Sequence, residues 1–278
     1  MKTCPYCGKE YPDEAVRCLI DGQPLVGGEP PPLPSPVPMP EAPAPPSPIT
    51  LTDRQMRIIE VVLVCGIAFG SNILSSLHEL SGQNFGRPSG SEFSWMIGNL
   101  REGFCLGLLW YVLRRHGKTF YDLGLSWKWS DVGWSILLRL AGAIGFYAVF
   151  YLFYFTGLSS VDTTVATGHV AHYLFGNDVA VMAVLFQFLN PFFEELIVRA
   201  YVITEIRQLT NSVSKAVLLS TALQTSYHFY QGVPVALAHG ATFLIFSIYY
   251  AKTNRIAPVI LAHLYMDVGF TLLYLFHH

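Results

Sequence analysis

The sequence predicts an all-α polytopic membrane protein of about seven transmembrane helices, preceded by a small N-terminal head. Three observations carry that expectation. The 278 residues are 52% hydrophobic and only 13% charged, about half the share of charge (~25%) that a soluble domain uses to face water. From about residue 56 onward, apolar stretches recur at roughly the 20-residue length that crosses the hydrocarbon, and mean hydropathy is +0.39. The first 27 residues differ in kind: they are polar and Cys-bearing, and eleven prolines follow between Pro30 and Pro48. Net charge is −2, which offers no global attraction to nucleic acid, so no such partner is expected. The polar start, Met1 to Pro12, lacks the apolar run of a signal peptide.

These shifts divide the chain into a head at 1–27, a proline-rich linker at 28–50 and a membrane domain at 51–278. A proline run of this kind favours extended polyproline II and builds no core. In the head, Cys4-x2-Cys7 and Cys18-x2-Asp21 read as two ligand pairs. Two close pairs let a short chain wrap one tetrahedral ion, and thiolate sulfur and carboxylate oxygen are both acceptable zinc ligands. A head this small has too little core to fold alone, so zinc would supply much of its stability. It resembles the short zinc ribbons found at the ends of many bacterial proteins, in which Asp followed by Gly, here Asp21-Gly22, is a known variant. Such a head suits recruitment of a cytoplasmic protein partner, or sensing, better than catalysis. Cys65 and Cys105 lie in apolar runs and read as small packing residues.

Seven spans are expected near 57–79, 94–114, 133–157, 178–206, 213–230, 233–251 and 256–276. Basic residues orient them. Arg114, Arg115, Lys118 and Lys128 follow the second span, Arg207 and Lys215 lie between the fourth and fifth, and Lys252 and Arg255 between the sixth and seventh. The connection from Gly157 to Asp178, with His169 and His172, has no Lys or Arg. Only Arg87, after span one, dissents. The expected protein is a multi-pass cell-membrane protein with its N-terminus cytoplasmic and its C-terminus outside. The aromatic stretch Phe120–Trp129 fits the cytoplasmic interface.

Charged groups inside spans are costly and usually functional. Span four holds Pro191, Glu194, Glu195 and Arg199. Glu195 and Arg199 are i,i+4 and can pair on one face, Glu194 points elsewhere, and Pro191 is expected to kink the helix just before them. Span five ends near His228, span six holds His239, and span seven carries His263 and Asp267, again i,i+4. Counted from the nearest basic residue on the cytoplasmic side, Glu195 lies 12 residues from Arg207, His228 13 from Lys215, His263 8 from Arg255 and Asp267 12 from Arg255. At helical rise all fall roughly 12–20 Å from that side. Three spans therefore set ionisable groups in one layer. A carboxylate beside His can activate water as a general base; two His and a carboxylate could instead hold a zinc ion with one open position. A structural polar network and a proton pathway are the competing uses, although no internal repeat of the transporter kind is present. Arg101 and Glu102 in span two form a further buried pair, which mutual neutralisation would explain.

Glu194-Glu195-x3-Arg199, a His on the next span and His263-x3-Asp267 together resemble the CPBP family, the CAAX-prenyl-protease and bacteriocin-processing (Abi) intramembrane proteases, over roughly 95–275. The resemblance implies a helical bundle with its site open to the membrane and hydrolysis of a membrane-associated peptide or protein. It implies Glu194 as the base that activates water, Glu195 with Arg199 to orient it, His228 to position that water and His263 to stabilise the oxyanion beside Asp267. Two positions depart from the family. Gln224 stands where Phe is common, four residues before the His. The last motif ends in Asp267, which when ionised cannot donate to an oxyanion as Asn can and is better cast as the orienter of His263. The residues admit a metal-assisted and a metal-free site; we lean to the metal-free one. A non-proteolytic membrane adaptor or immunity protein on the same bundle is the alternative.

Overall fold

The computed structural model describes residues 1–26, 52–80, 91–157 and 181–277. The expected linker at 28–50, Arg87, and the stretch 158–180 with His169 and His172 lie outside the described residues. The chain divides into two compact units, Met1–Thr50 and Leu51–His278.

In the first unit, β1 (Lys2–Thr3) pairs antiparallel with β2 (Glu10–Tyr11), with isolated bridges Thr3 to Val26 and Arg17 to Pro24. Two turns repeat one geometry. The Cys4 carbonyl accepts from Gly8 N–H and the Cys18 carbonyl from Gly22 N–H, while Cys4 N–H donates to Lys9 and Cys18 N–H to Gln23. Gly8 and Gly22 sit at φ +69° and +73°, a conformation that costs glycine nothing and other residues much more. The first turn thus runs Cys4-x2-Cys7-Gly8 and the second Cys18-x2-Asp21-Gly22, so Asp21 fills the place that Cys7 fills in the first.

Among the described residues the second unit has seven helices: α1 (Asp53–Leu80), α2 (Glu92–Arg115), α3 (Ser130–Phe155), α4 (Val181–Thr210), α5 (Val213–Ser226), α6 (Val233–Thr253) and α7 (Ala257–His277). Among the described residues α1, α3, α4 and α6 are long and apolar enough to cross a membrane. The protein is an all-α membrane protein. α4 is its centre: half of its apolar window is buried inside the protein, against 22% in α1 and 17% in α3. The outer helices turn Leu, Ile and aromatic side chains outward, as lipid-facing helices do. α3 and α6 approach closely through small residues. A Cβ on Gly142 would come within 2.8 Å of Thr242, and one on Gly145 within 2.9 Å of Ile245, while Thr242 Oγ1 donates to the Gly142 carbonyl at 2.8 Å. Small residues and interhelical hydrogen bonds are the means of packing where lipid removes the hydrophobic drive.

α5 is shorter than the sequence suggests. The expected span ran to 230, but the helix ends at Ser226 and a short 3-10 turn, Phe229–Gln231, follows. Thr225 and Ser226 each donate a hydroxyl back to the backbone, to Thr221 and Leu223, a bond that competes with the helix ladder. Gly232, at φ +88°, and Pro234 then start α6.

At one end of the bundle, ion pairs tie the helices together. Glu205 receives Arg57 at 2.7 Å and Lys118 at 3.0 Å, Glu60 receives His116 at 2.6 Å, and Asp131 receives Arg255. The aromatic stretch before α3 is docked at this end. Leu123 is buried, and its carbonyl accepts from Tyr250 Oη, while Tyr121 and Trp129 stay exposed. Gly124 is the tight point: φ is +81°, and a Cβ there would stand 1.9 Å from the Asn254 carbonyl oxygen. Gly124→Ala is therefore expected to destabilise the membrane unit by about 2 kcal/mol or more, from backbone strain plus the clash, read as a lower melting temperature in detergent. An unchanged melting temperature would refute the close approach.

Candidate active site

α4 departs from α-helical form at the residues that matter. Val181–Glu194 is α-helical with Pro191 inside it, Glu195–Tyr201 is π-helical, and Val202–Thr210 is α-helical again. Widened turns of this kind occur at functional sites. They leave carbonyls needing donors, which lipid cannot supply. Neighbouring helices supply them here: Ser220 Oγ donates to the Val198 carbonyl at 2.7 Å and Tyr250 Oη to Ala200 at 3.2 Å. The π-helical stretch begins four residues after Pro191, and every residue in it is buried.

Glu195 is fully buried and bridges two helices. One carboxylate oxygen lies 2.5 Å from Arg199 Nη1 and the other 2.6 Å from His263 Nδ1. A carboxylate only accepts, so His263 carries its proton on Nδ1. Its Nε2 lies 3.6 Å from Asp267 Oδ1, longer than a hydrogen bond. Arg199 is itself fully buried, its guanidinium 5.4 Å from the ring centres of both Phe243 and Phe246. The order Arg199–Glu195–His263–Asp267 is one continuous charged row from α4 to α7. Glu195 thus contacts His263 as well as Arg199.

Glu194 is held by other groups. Its Oε2 accepts from Gln224 Nε2 at 2.8 Å, and Gln224 is fully buried on α5. The position that departs from the family's usual Phe is thus the one that fixes this carboxylate. Sequence reading missed that role, although a buried Gln one helical turn before His228 is a visible signal. The Tyr227 phenol faces the same carboxylate; its ring stacks on Phe69 of α1 at 4.7 Å, and Ser76 holds the Tyr227 carbonyl at 2.8 Å. α1 therefore closes one wall of the site.

His228 lies in the turn after α5. Its Nδ1 is 2.8 Å from the Gln224 carbonyl, an acceptor, so Nδ1 donates and Nε2 keeps its lone pair. The ring packs 4.8 Å from Phe243 and 5.8 Å from His239. His228, His263 and Glu194 are electrostatic neighbours. The six expected residues are thus brought to neighbouring places by α4, α7 and the turn after α5, with Arg199, Glu195, His263 and Asp267 in one run and Glu194 and His228 both tied to Gln224. Arg101 and Glu102 do not form the expected ion pair. Arg101 turns to α1, donating to Asn72 at 2.8 Å, because successive residues on a helix do not face one another.

Among the described residues, the one group of three or more His, Cys, Asp and Glu donors close enough to share an ion is Cys4, Cys7, Cys18 and Asp21, whose ligand atoms all lie within 4.8 Å of one another. The Gln23 backbone N–H, at 3.0 Å, holds the Asp21 carboxyl below its ordinary value, with the Cys18 and Cys4 thiols adding to the effect, which suits a ligand that binds as the anion. The donors of Glu194, His228 and His263 do not converge in this way.

Residues 176–269 match the family model described as Type II CAAX prenyl endopeptidase Rce1-like. No curated protein and no solved structure matches the chain. The matched segment contains α4 to α7 as far as Gly269, and so all six residues of the polar layer. Over residues 176–269, about a third of its length, the chain is thus similar to the CAAX-protease family of membrane-embedded proteases.

Proposed function

We propose that the protein is an intramembrane endopeptidase in which Glu194 activates water against a peptide bond of a membrane-associated protein or peptide. The observation that carries this reading is the division of labour between two adjacent carboxylates: Glu195 is committed to Arg199 and His263, while Glu194 is held on one oxygen by Gln224. Glu194 then takes the proton from water as it attacks the carbonyl carbon. His228, its Nδ1 turned to the backbone, offers the Nε2 lone pair to that water. His263, steered by Glu195 through Nδ1 and flanked by Asp267, acts here as the imidazolium, whose Nε2–H can meet a developing oxyanion; a fixed group is worth most in such a dry site. The adjacent ion pairs of Arg57, Lys118 and Arg255 mark the cytoplasmic end on the positive-inside rule, with the N-terminus on that side, the C-terminus outside and the cell membrane as the location. The Cys4, Cys7, Cys18 and Asp21 head binds zinc and recruits a cytoplasmic partner.

The test compares the membrane proteomes of cells carrying wild type and Glu194→Gln, scored for protein termini. Gln keeps size and hydrogen bonding but cannot take the proton. Particular termini are expected to fall at least about 100-fold, the usual minimum contribution of a general base, with the abundance of the variant unchanged. No change in any terminus, together with a phenotype for Cys4→Ser alone, would sink the protease reading and favour the adaptor.

A further inference from the structure

Glu102 is a buried carboxyl group that the reading above leaves without work. It is fully buried on α2, on the face that also buries Asn99, Cys105 and Leu109. Asn99, one turn earlier, ties this face to α4 by donating to the Met182 carbonyl at 2.9 Å. Among the described residues neither oxygen of Glu102 has a hydrogen-bond partner. Its charged neighbours are Glu194 of α4, Asp267 and His263 of α7, and Arg101 beside it. Arg101 is engaged with Asn72 and Ser71 of α1. Glu102 therefore adds a buried carboxyl beside the polar layer from a fourth helix.

Hydrolysis of an amide needs two proton movements. One proton leaves the attacking water and another reaches the departing nitrogen, since an amide anion is too poor a leaving group to go unprotonated. Glu194 handles the first. Glu194 could pass on the proton it has taken, but a second acid fixed in the layer would serve the nitrogen directly; the Nδ1 protons of His228 and His263 are held by the Gln224 carbonyl and by Glu195, Arg199 is locked onto Glu195, and the His263 Nε2 proton is used on the oxyanion. An ionised carboxylate enclosed with no donor is strongly disfavoured, whereas a carboxylic acid brings its own O–H.

We propose that Glu102 is a further catalytic residue, the acid that delivers a proton to the leaving nitrogen. The assignment rests on Glu194 as base. As the water oxygen bonds to the carbonyl carbon, its proton passes to Glu194. As the carbon–nitrogen bond breaks, the Glu102 proton passes to nitrogen and its electron pair stays with that atom. The products are a carboxylic acid and an amine, with Glu194 protonated and Glu102 ionised. Transfer of a proton from Glu194 to Glu102 through water restores both.

The leaving group supplies the test. The full chain, reconstituted in liposomes, is given a mixture of internally quenched apolar peptides and the same mixture with the central amide replaced by an ester, whose alkoxide leaves with far less help. Glu102→Gln is expected to lower amide cleavage about 100-fold or more and ester cleavage by no more than about one-tenth of that factor. Glu102→Asp, which keeps the acid on a shorter arm, recovers part of the amide rate and guards against a variant that merely misfolds. Glu194→Gln loses both activities. Equal loss of amide and ester in Glu102→Gln, or no loss of either while Glu194→Gln loses both, overturns the role of Glu102 and leaves the base in place. Wild type and Glu194→Gln that act alike on both substrates overturn the protease reading, and the acid with it.

Discussion

Arg199→Leu is expected to destabilise the membrane unit by about 3–5 kcal/mol, the cost of leaving one member of a buried ion pair without the other. Arg199 and Glu195 both have fully buried side chains 2.5 Å apart, so water cannot replace the lost partner. Leu fills much of the space between Phe243 and Phe246 but supplies no charge. Adding Glu195→Gln removes the stranded carboxylate. The double variant is therefore expected to melt higher than Arg199→Leu alone, giving a coupling of about 0.5–3 kcal/mol between the positions. Arg199→Lys should lie between, because an ammonium keeps the charge but loses the planar face that meets both rings. Detergent-solubilised protein, followed by thermal melting through the full double-mutant cycle, decides the matter. Additive effects would show that the two side chains do not act as a pair. The same loss reaches function, since Glu195 is also the group that holds His263. Arg199→Leu should thus lose hydrolysis even at temperatures where the bundle stays folded.

Much of this site is legible in the sequence because a membrane makes polar residues conspicuous. An ionisable side chain costs so much in lipid that Glu194, Glu195, Arg199, His263 and Asp267 stand out, and helical rise alone sets them at one depth. The i,i+4 spacings of Glu195 with Arg199 and of His263 with Asp267 correspond to contacts seen in the fold. Helix positions follow from apolar length, and the seven helices lie close to the seven apolar segments. The end of α5 was misplaced because Thr225 and Ser226 read as tolerable helix residues until their hydroxyls are seen bonding backward. What escapes the sequence is pairing across helices. Gln224 meets Glu194 across 30 positions, and the π-helical turn depends on Ser220 and Tyr250 from two other helices. Neither follows from local propensity. Arg101 beside Glu102 misleads for a simpler reason: adjacency in sequence is not adjacency on a helix, and Asn72 of α1 takes the guanidinium.

Removing metal from the head is expected to unfold all of residues 1–26 while leaving the melting of the membrane unit unchanged. The head has little else to hold it. Its core is Cys4, Cys18 and Leu25, with Tyr11 and Ala15 half-buried against them, and its sheet is two residues per strand. Two of the three core residues, Cys4 and Cys18, belong to the cluster that could hold an ion. Three thiols and a carboxylate within 4.8 Å of one another attract a divalent ion strongly and crowd one another without it. In so small a unit, binding energy for the ion is folding energy. Amide exchange of the full chain in detergent, with and without a chelator, is the direct measurement. The bonds from Cys4 N–H to Lys9 and from Cys18 N–H to Gln23 should lose protection together, because each lies in a turn that the ion clamps. Cys4→Ser should reproduce the effect without chelator. Asp21→Cys is the informative contrast: Gly22 already has the positive φ that Gly8 has after Cys7, so the turn accepts cysteine and the head should bind zinc more tightly than wild type. A head that stays protected in chelator would mean that sheet and core suffice. A membrane unit that melts lower with the head unfolded would mean that the two compact units are energetically coupled.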